Sequence, residues 1–72
     1  MSVLTKREVE ILELISYSYS SDEIAELLFI SRHTVITHRK RLLSKLNSKT
    51  SAGLIRKGFE NGYLNLSIFQ GP

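Results

Sequence analysis

The sequence predicts an all-α protein, a four-helix bundle that contains a helix-turn-helix. Helix-start signals precede four separate apolar segments of the chain. The 72 residues suffice for one domain, and about a third of them are Leu, Ile, Val or Phe, enough for a small core. One proline and four glycines leave few turn residues for a β fold.

The first two helices each begin at a capping box. Thr5-Lys6-Arg7-Glu8 has the required spacing and precedes an apolar stripe, which predicts a first helix that runs to about Ser16. Ser20 to Glu23 repeats the pattern and predicts a short second helix that ends near Phe29. The alternating serines and tyrosines between the two helices predict a linker.

The third and fourth helices have simpler start signals. Ser31 is predicted to cap a third helix of about fifteen residues. A polar interruption at Asn47–Thr50 follows, after which Thr50 or Ser51 opens a fourth helix that ends before Gly62. The predicted domain spans residues 1–64. Residues 65–72 form a tail with alternating apolar side chains, for which both an extended and a frayed conformation stay open.

Only Ile30 and Ser31 separate the second helix from the third. So short a connection makes two helices cross steeply, which is the helix-turn-helix arrangement. Ala25, Phe29 and Val35 are expected to serve as the small residue at the crossing, the anchor of the turn and an anchor in the core.

The charges are divided between two parts of the chain. Residues 1–30 hold two cations and six carboxylates, a net charge of −4. Residues 31–57 hold eight cations and no carboxylate, a net charge of +8. This division predicts one basic and one acidic side, a distribution typical of proteins that bind a polyanion.

The third helix, projected at about 100° per residue, separates into two faces. Val35, Leu42 and Leu46 form the apolar side. The opposite arc is basic and polar, without a carboxylate, and suits the major groove of DNA; it consists of Ile36, Lys40, His33, Ser44, Thr37 and Arg41. Arg39 projects toward the apolar side and is expected to pair with an acid such as Glu10.

Several function classes are excluded by what the sequence lacks. The absence of cysteine removes disulfides and thiolate metal sites and indicates a reducing compartment. His33 and His38 lie about 140° apart around a helix, so they are not expected to hold one metal ion. No apolar run approaches the roughly 20 residues of a membrane span. We therefore predict no enzymatic activity, no cofactor, no bound small molecule and no membrane contact.

Six motifs, in order and spacing, resemble the LuxR/GerE-type helix-turn-helix domain, which has a winged-helix-like DNA-binding fold. They cover residues 4–64 and are Leu4–Leu12, Glu23–Ser31, Thr34–His38, Lys45-Leu46, Lys49–Ala52 and Asn61–Leu64. The resemblance implies the output domain of a bacterial transcription regulator that binds double-stranded DNA in the cytoplasm, at the nucleoid. It also implies a homodimer formed through the fourth helix, and RNA polymerase is a further candidate partner.

On this basis each site residue receives an expected role. The resemblance places Lys40 and Ile36 at base edges and Thr34 and His38 on the DNA backbone, and the helical projection adds Thr37 and Arg41 to the base-reading set. The expected phosphate contacts are Ser20, Ser21, Arg32, His33, Thr34, His38, Lys45 and Lys49. The expected dimer surface comprises Leu54, Ile55, Lys57, Gly58 and Phe59.

Two alternative functions stay open, and this chain departs from the family pattern at three positions. Region 4 of a sigma factor shares part of the pattern, although His38 and the complete fourth helix favour the LuxR type. A helix-turn-helix that docks protein would explain Ile36, which stands where the family commonly has lysine. Ser18 replaces a usual glycine, and Ser51 a common basic residue.

Overall fold

The computed structural model describes residues 3–65 and contains four helices in that range. They are α1 (Lys6–Ser16), α2 (Ser21–Leu28), α3 (Arg32–Lys45) and α4 (Ser51–Glu60). No strand occurs between residues 3 and 65, so the predicted all-α class is confirmed. The predicted tail lies, from residue 66 onward, outside the described residues.

The predicted helix starts are confirmed at atomic detail. In α1 the Glu8 amide donates to Thr5 Oγ1 at 3.1 Å, and the Thr5 amide donates to Glu8 Oε1 at 2.8 Å. Ser20 and Glu23 make the same reciprocal pair at α2, with distances of 2.9 and 3.2 Å. These bonds satisfy amides that have no partner within a helix, so the sequence sets where each helix begins. Single hydroxyl caps open the remaining helices, Ser31 for α3 and Thr50 for α4.

The core lies where α3 crosses the other three helices. α3 packs against α1, α2 and α4, and α1 also packs against α4. Leucine and isoleucine dominate this interior, and their burial supplies most of the stabilisation that so small a domain can obtain. The buried apolar residues are Leu4, Ile11, Leu12, Ile15, Ile24, Ala25, Val35, Leu42, Leu46, Leu54 and Leu64.

A buried ion pair joins the beginning of α1 to the end of α3. Glu8 is 1% exposed, and its Oε1 accepts a hydrogen bond of 2.8 Å from Lys45 Nζ. The same ammonium donates to the Val3 carbonyl at 3.2 Å. Burial raises the pKa of Glu8, but the hydrogen bonds from Lys45 and Thr5 outweigh it and leave that pKa below its usual value. Glu8 therefore caps one helix and fixes the last turn of another.

The turns use the left-handed backbone region at residues other than glycine. Ser18, Phe29 and Asn47 have φ of 71°, 56° and 51°. Ser18 adopts this conformation at the position where the family usually has glycine, which accounts for that preference. Gly62, with φ of 81°, follows the C-cap of α4 as predicted.

The expectation that Phe29 anchors the turn is wrong. Phe29 caps the C-terminus of α2 in the left-handed conformation, and its side chain points outward, 95% exposed. Because the left-handed cap redirects the chain, the neighbouring Leu28 and Ile30 pack against the core instead. Tyr19, Leu27 and Phe29 line a shallow surface depression together with two glutamates.

α4 packs tightly against the segment that follows it. A Cβ added at Gly58 would lie 2.7 Å from Leu64 Cδ1 and 3.1 Å from Leu12 Cδ2. Leu54 is 1% exposed and belongs to the same core. Both Leu54 and Gly58 are therefore inside the protomer, and their predicted place on a dimer surface is corrected.

No helix within the described range is long and apolar enough to cross a membrane.

Candidate nucleic-acid interface

The outward face of α3 is cationic and open. Arg32, His33, Lys40 and Arg41 are exposed, whereas Val35 and Leu42 on the opposite side are buried. Lys40 and Arg41 take part in no ion pair among residues 3–65. The predicted division of this helix into two faces is thus confirmed, and Lys40 and Arg41 are available to an external anion.

Polar side chains between these cations have restricted hydrogen-bonding roles. Thr37 Oγ1 donates to the His33 carbonyl at 3.1 Å, which leaves the lone pairs of its hydroxyl to accept from an incoming group. Thr34 Oγ1 lies 2.9 Å from Ser31 Oγ within the cap of α3. The Nδ1 atom of His38 is buried without a hydrogen-bond partner in the described structure. Its other ring nitrogen is therefore the one that can serve a ligand.

Ile36 lies on the same side of α3 and is half-buried. It does not belong to the group of partly buried residues that packs against the core. An aliphatic side chain in this position offers a van der Waals surface of the kind that a thymine methyl group can contact in the major groove.

The N-termini of α2 and α3 meet through an ion pair that the sequence analysis missed. Asp22 Oδ1 lies 3.0 Å from Arg32 Nε, and both side chains are well exposed. The first helical hydrogen bond of α2 is from Ile24 to Ser20, so the amides of Ser21 and Asp22 precede it. Opposite charges ten residues apart, on either side of the short connection between two helices, were the signal available in the sequence.

Two predicted partners are corrected. Lys45, expected on a phosphate, instead holds Glu8, and its side chain is only 26% exposed. We therefore assign Lys45 to the stability of the fold and remove it from the phosphate set. Arg39 was expected to pair with Glu10, but it donates to Ser51 Oγ at 2.7 Å because its side of α3 faces the start of α4. Glu10 lies 3.4 Å from Arg7.

A second basic surface borders the interface. Lys49, Arg56 and Lys57 line a groove beside α4, together with Asn47, Ser48, Gly53 and Glu60. Arg56 had no role in the sequence analysis, and it pairs with Glu60 at 3.1 Å. Of the residues predicted at a dimer surface, Ile55, Lys57 and Phe59 are half-buried on α4.

Known proteins match this chain over most of its length. The profile of the bacterial regulatory proteins of the luxR family (GerE) matches residues 2–57. The oxygen regulatory protein NreC of Staphylococcus carnosus is 41% identical over 63 residues, covering 88% of this chain and 29% of NreC. The transcriptional regulatory protein MctR of Rhizobium johnstonii is 48% identical over 62 residues, covering 86% of this chain and 29% of MctR. The chain thus spans about three tenths of these curated relatives.

Solved structures agree with the sequence matches. The transcription factor GerE superposes with a TM-score of 0.83 and 35% identity, covering 92% of this chain and 98% of GerE. The response regulator ChrA of a heme-sensing two-component system gives a TM-score of 0.85 and 31% identity, covering 89% of this chain and 32% of ChrA. The fold and the sequence identify the same group of proteins.

Proposed function

The chain belongs to the luxR family of bacterial regulatory proteins, a family of DNA-binding transcription-regulator domains and not of enzymes, and from that membership we propose how it engages DNA. α3 enters the major groove of a duplex with its outward face toward the base edges. The observation that carries this proposal is the carboxylate-free cationic face of α3. The groove is about 12 Å wide and admits one helix.

Base recognition is assigned to the middle of α3. Lys40 donates to a base edge, with guanine O6 and N7 as the best acceptors. Thr37 accepts from an exocyclic amine, because its own proton is already bound to the His33 carbonyl. Ile36 contacts a thymine methyl group, and Arg41 extends the readout toward the end of the helix.

Phosphate contacts surround this face and set the register of the protein on DNA. Arg32, His33, Thr34 and His38 bind the backbone from α3, and Lys49 binds it from the loop before α4. The Ser20 hydroxyl and the Ser21 amide offer a further anion site at the start of α2, where the helix dipole favours negative charge.

Binding to DNA is tested by fluorescence anisotropy with a random duplex at several salt concentrations. Two Lys or Arg cations, Arg32 and Lys49, reach phosphates in this arrangement, so the plot of log affinity against log salt should have a slope of about −2. A slope near zero, or no binding at about 50 mM salt, would contradict DNA binding and favour a helix-turn-helix that docks protein.

We propose that two copies pair through α4. Ala52, Ile55 and Phe59 follow each other at helical spacing, and the two larger side chains are half-buried. When this stripe packs against the same stripe of a second copy, the two copies can read half-sites about one turn of DNA apart. Pairing compensates for the few base contacts that each copy makes.

Replacing Ile55 with asparagine should abolish the advantage of a duplex with two half-sites over one with a single half-site. We expect that advantage to be about 100-fold for the unchanged protein. Leu14→Asn is the matched control, because Leu14 is also half-buried against the core but lies on α1. If both variants lose the advantage to the same extent, reduced stability explains the loss and the α4 interface is wrong.

The proposed DNA partner also implies where in the cell the chain acts. We propose that the chain acts on bacterial DNA in the cytoplasm, at the nucleoid, without catalysis, and that RNA polymerase is a second partner in transcription control. The part of the chain from Val3 to Asn65 holds no group of three His, Cys, Asp or Glu side chains suited to a metal ion.

A further inference from the structure

We propose that Asp22 competes with a DNA phosphate for Arg32, and thereby lowers the affinity of the domain for any duplex. The inference rests on the proposed function, because it concerns one of the assigned phosphate contacts. It adds Asp22, whose negative charge repels DNA, to the residues that affect binding at this interface.

The placement of the two side chains supports this competition. Arg32 is the first residue of α3, and Asp22 is the second residue of α2. Their charged atoms are 3.0 Å apart, while 64% of the Arg32 side chain and 73% of the Asp22 side chain remain exposed. Among residues 3–65, no other ion pair joins α2 to α3.

So exposed an ion pair contributes little to folding, because water and salt screen both charges. Its consequence for a ligand is larger. A phosphate that accepts from the Arg32 guanidinium lies within about 7 Å of the Asp22 carboxylate and is repelled by it. DNA must therefore either displace Asp22 from Arg32 or bind while that repulsion persists.

The first turn of α2 contains no cation that could take the place of Arg32 at a phosphate. Glu23 is the other acid there, and its carboxylate accepts from the Ser20 amide within the cap. The Ser31 hydroxyl caps α3 beside Arg32 and carries no charge. Arg32 is thus the cation whose availability Asp22 controls.

The test compares Asp22→Asn with Glu26→Gln in the anisotropy titration with random duplex. Each substitution removes one carboxylate from α2, so the two variants have the same net charge. Glu26 lies one helical turn beyond Asp22 and forms no ion pair in the described structure. We expect Asp22→Asn to raise the affinity about threefold and Glu26→Gln to raise it clearly less.

Arg32→Gln in both backgrounds makes the test specific to the pair. If Asp22 competes for Arg32, the gain from Asp22→Asn should shrink toward that of Glu26→Gln once Arg32 is absent. Loss of fold cannot imitate the gain, because removing an acid from the first turn of a helix slightly lowers stability, whereas the expected affinity rises. Urea unfolding of each variant checks this.

Each result of these titrations leads to a different conclusion. A gain from Asp22→Asn that disappears in the Arg32→Gln background supports the competition. Equal gains from Asp22→Asn and Glu26→Gln, or a gain that persists without Arg32, would overturn it and leave DNA binding intact. A loss of affinity in Asp22→Asn would reverse the role, since Asp22 would then orient Arg32 for DNA. An unchanged protein that binds no duplex overturns both the inference and the proposed function.

Discussion

Replacing Glu8 with alanine is expected to lower the free energy of unfolding by about 2–4 kcal/mol. A buried ion pair that loses one partner typically costs about 3–5 kcal/mol, and the partial exposure of Lys45 reduces that figure. The substitution also removes the side-chain acceptor from the Thr5 amide. Since a domain of this size is stable by only about 5–10 kcal/mol, urea denaturation should show a large shift of the midpoint.

Two variants separate the contributions of Glu8. Thr5→Ala removes only the hydroxyl cap and should cost about 1 kcal/mol. Glu10→Ala removes an exposed acid from the same helix, 3.4 Å from Arg7, and should change stability by less than about 0.5 kcal/mol. A loss in Glu8→Ala no larger than that in Thr5→Ala would mean that the pair with Lys45 is not stabilising.

The same carboxylate gives the protein an acid-sensitive component of stability. The pKa of Glu8 is lowered in the folded state, so the unfolded chain binds its proton first as the pH falls. The stabilisation is complete above the unfolded pKa, near 4.3, and is lost as the pH drops through the lower folded value. Glu8→Ala should lack this component.

Replacing Lys40 with alanine is expected to reduce discrimination between sites by about 1–3 kcal/mol. Lys40 is exposed on the outward face of α3, and its ammonium is not held by a carboxylate of the described structure. Its loss removes a donor from one base pair. The measurement is the ratio of Kd values for a selected operator and a scrambled duplex.

Lys49→Ala is the comparison for this variant. Lys49 lies in the loop before α4 and not on α3, and it is assigned to phosphate. Its loss should weaken binding to both duplexes alike and reduce the salt slope by about one. If Lys40→Ala also weakens both duplexes equally, Lys40 contacts phosphate and the base is read by another side chain.

Local signals predicted the elements of this fold well. Capping boxes need only a hydroxyl and a glutamate three residues apart, so the starts of α1 and α2 can be read from the sequence. The two faces of α3 follow from its helical period. The same period correctly predicted which side of α3 is exposed and cationic.

The residues whose surroundings were predicted wrongly depend on tertiary contacts, which local sequence patterns do not reveal. Whether Lys45 meets a phosphate or Glu8 depends on how α1 and α3 approach each other, because the two residues are 37 positions apart in the chain. Leu54 and Gly58 share a helix with half-buried Ile55, and only the packing of α4 decides which of them face the core. Phe29 was misplaced because apolar character predicts burial, whereas its left-handed cap conformation turns it outward.

The contact of Gly58 with Leu64 defines the shortest chain that can hold this core. The matching family profile stops at residue 57, before either residue. Leu64 is 2% exposed, and its amide donates to the Gly58 carbonyl at 3.0 Å. A protein shortened to the profile would lose a fully buried leucine and the last turn of α4. Any excised or fused version of the domain should therefore retain the sequence through residue 64.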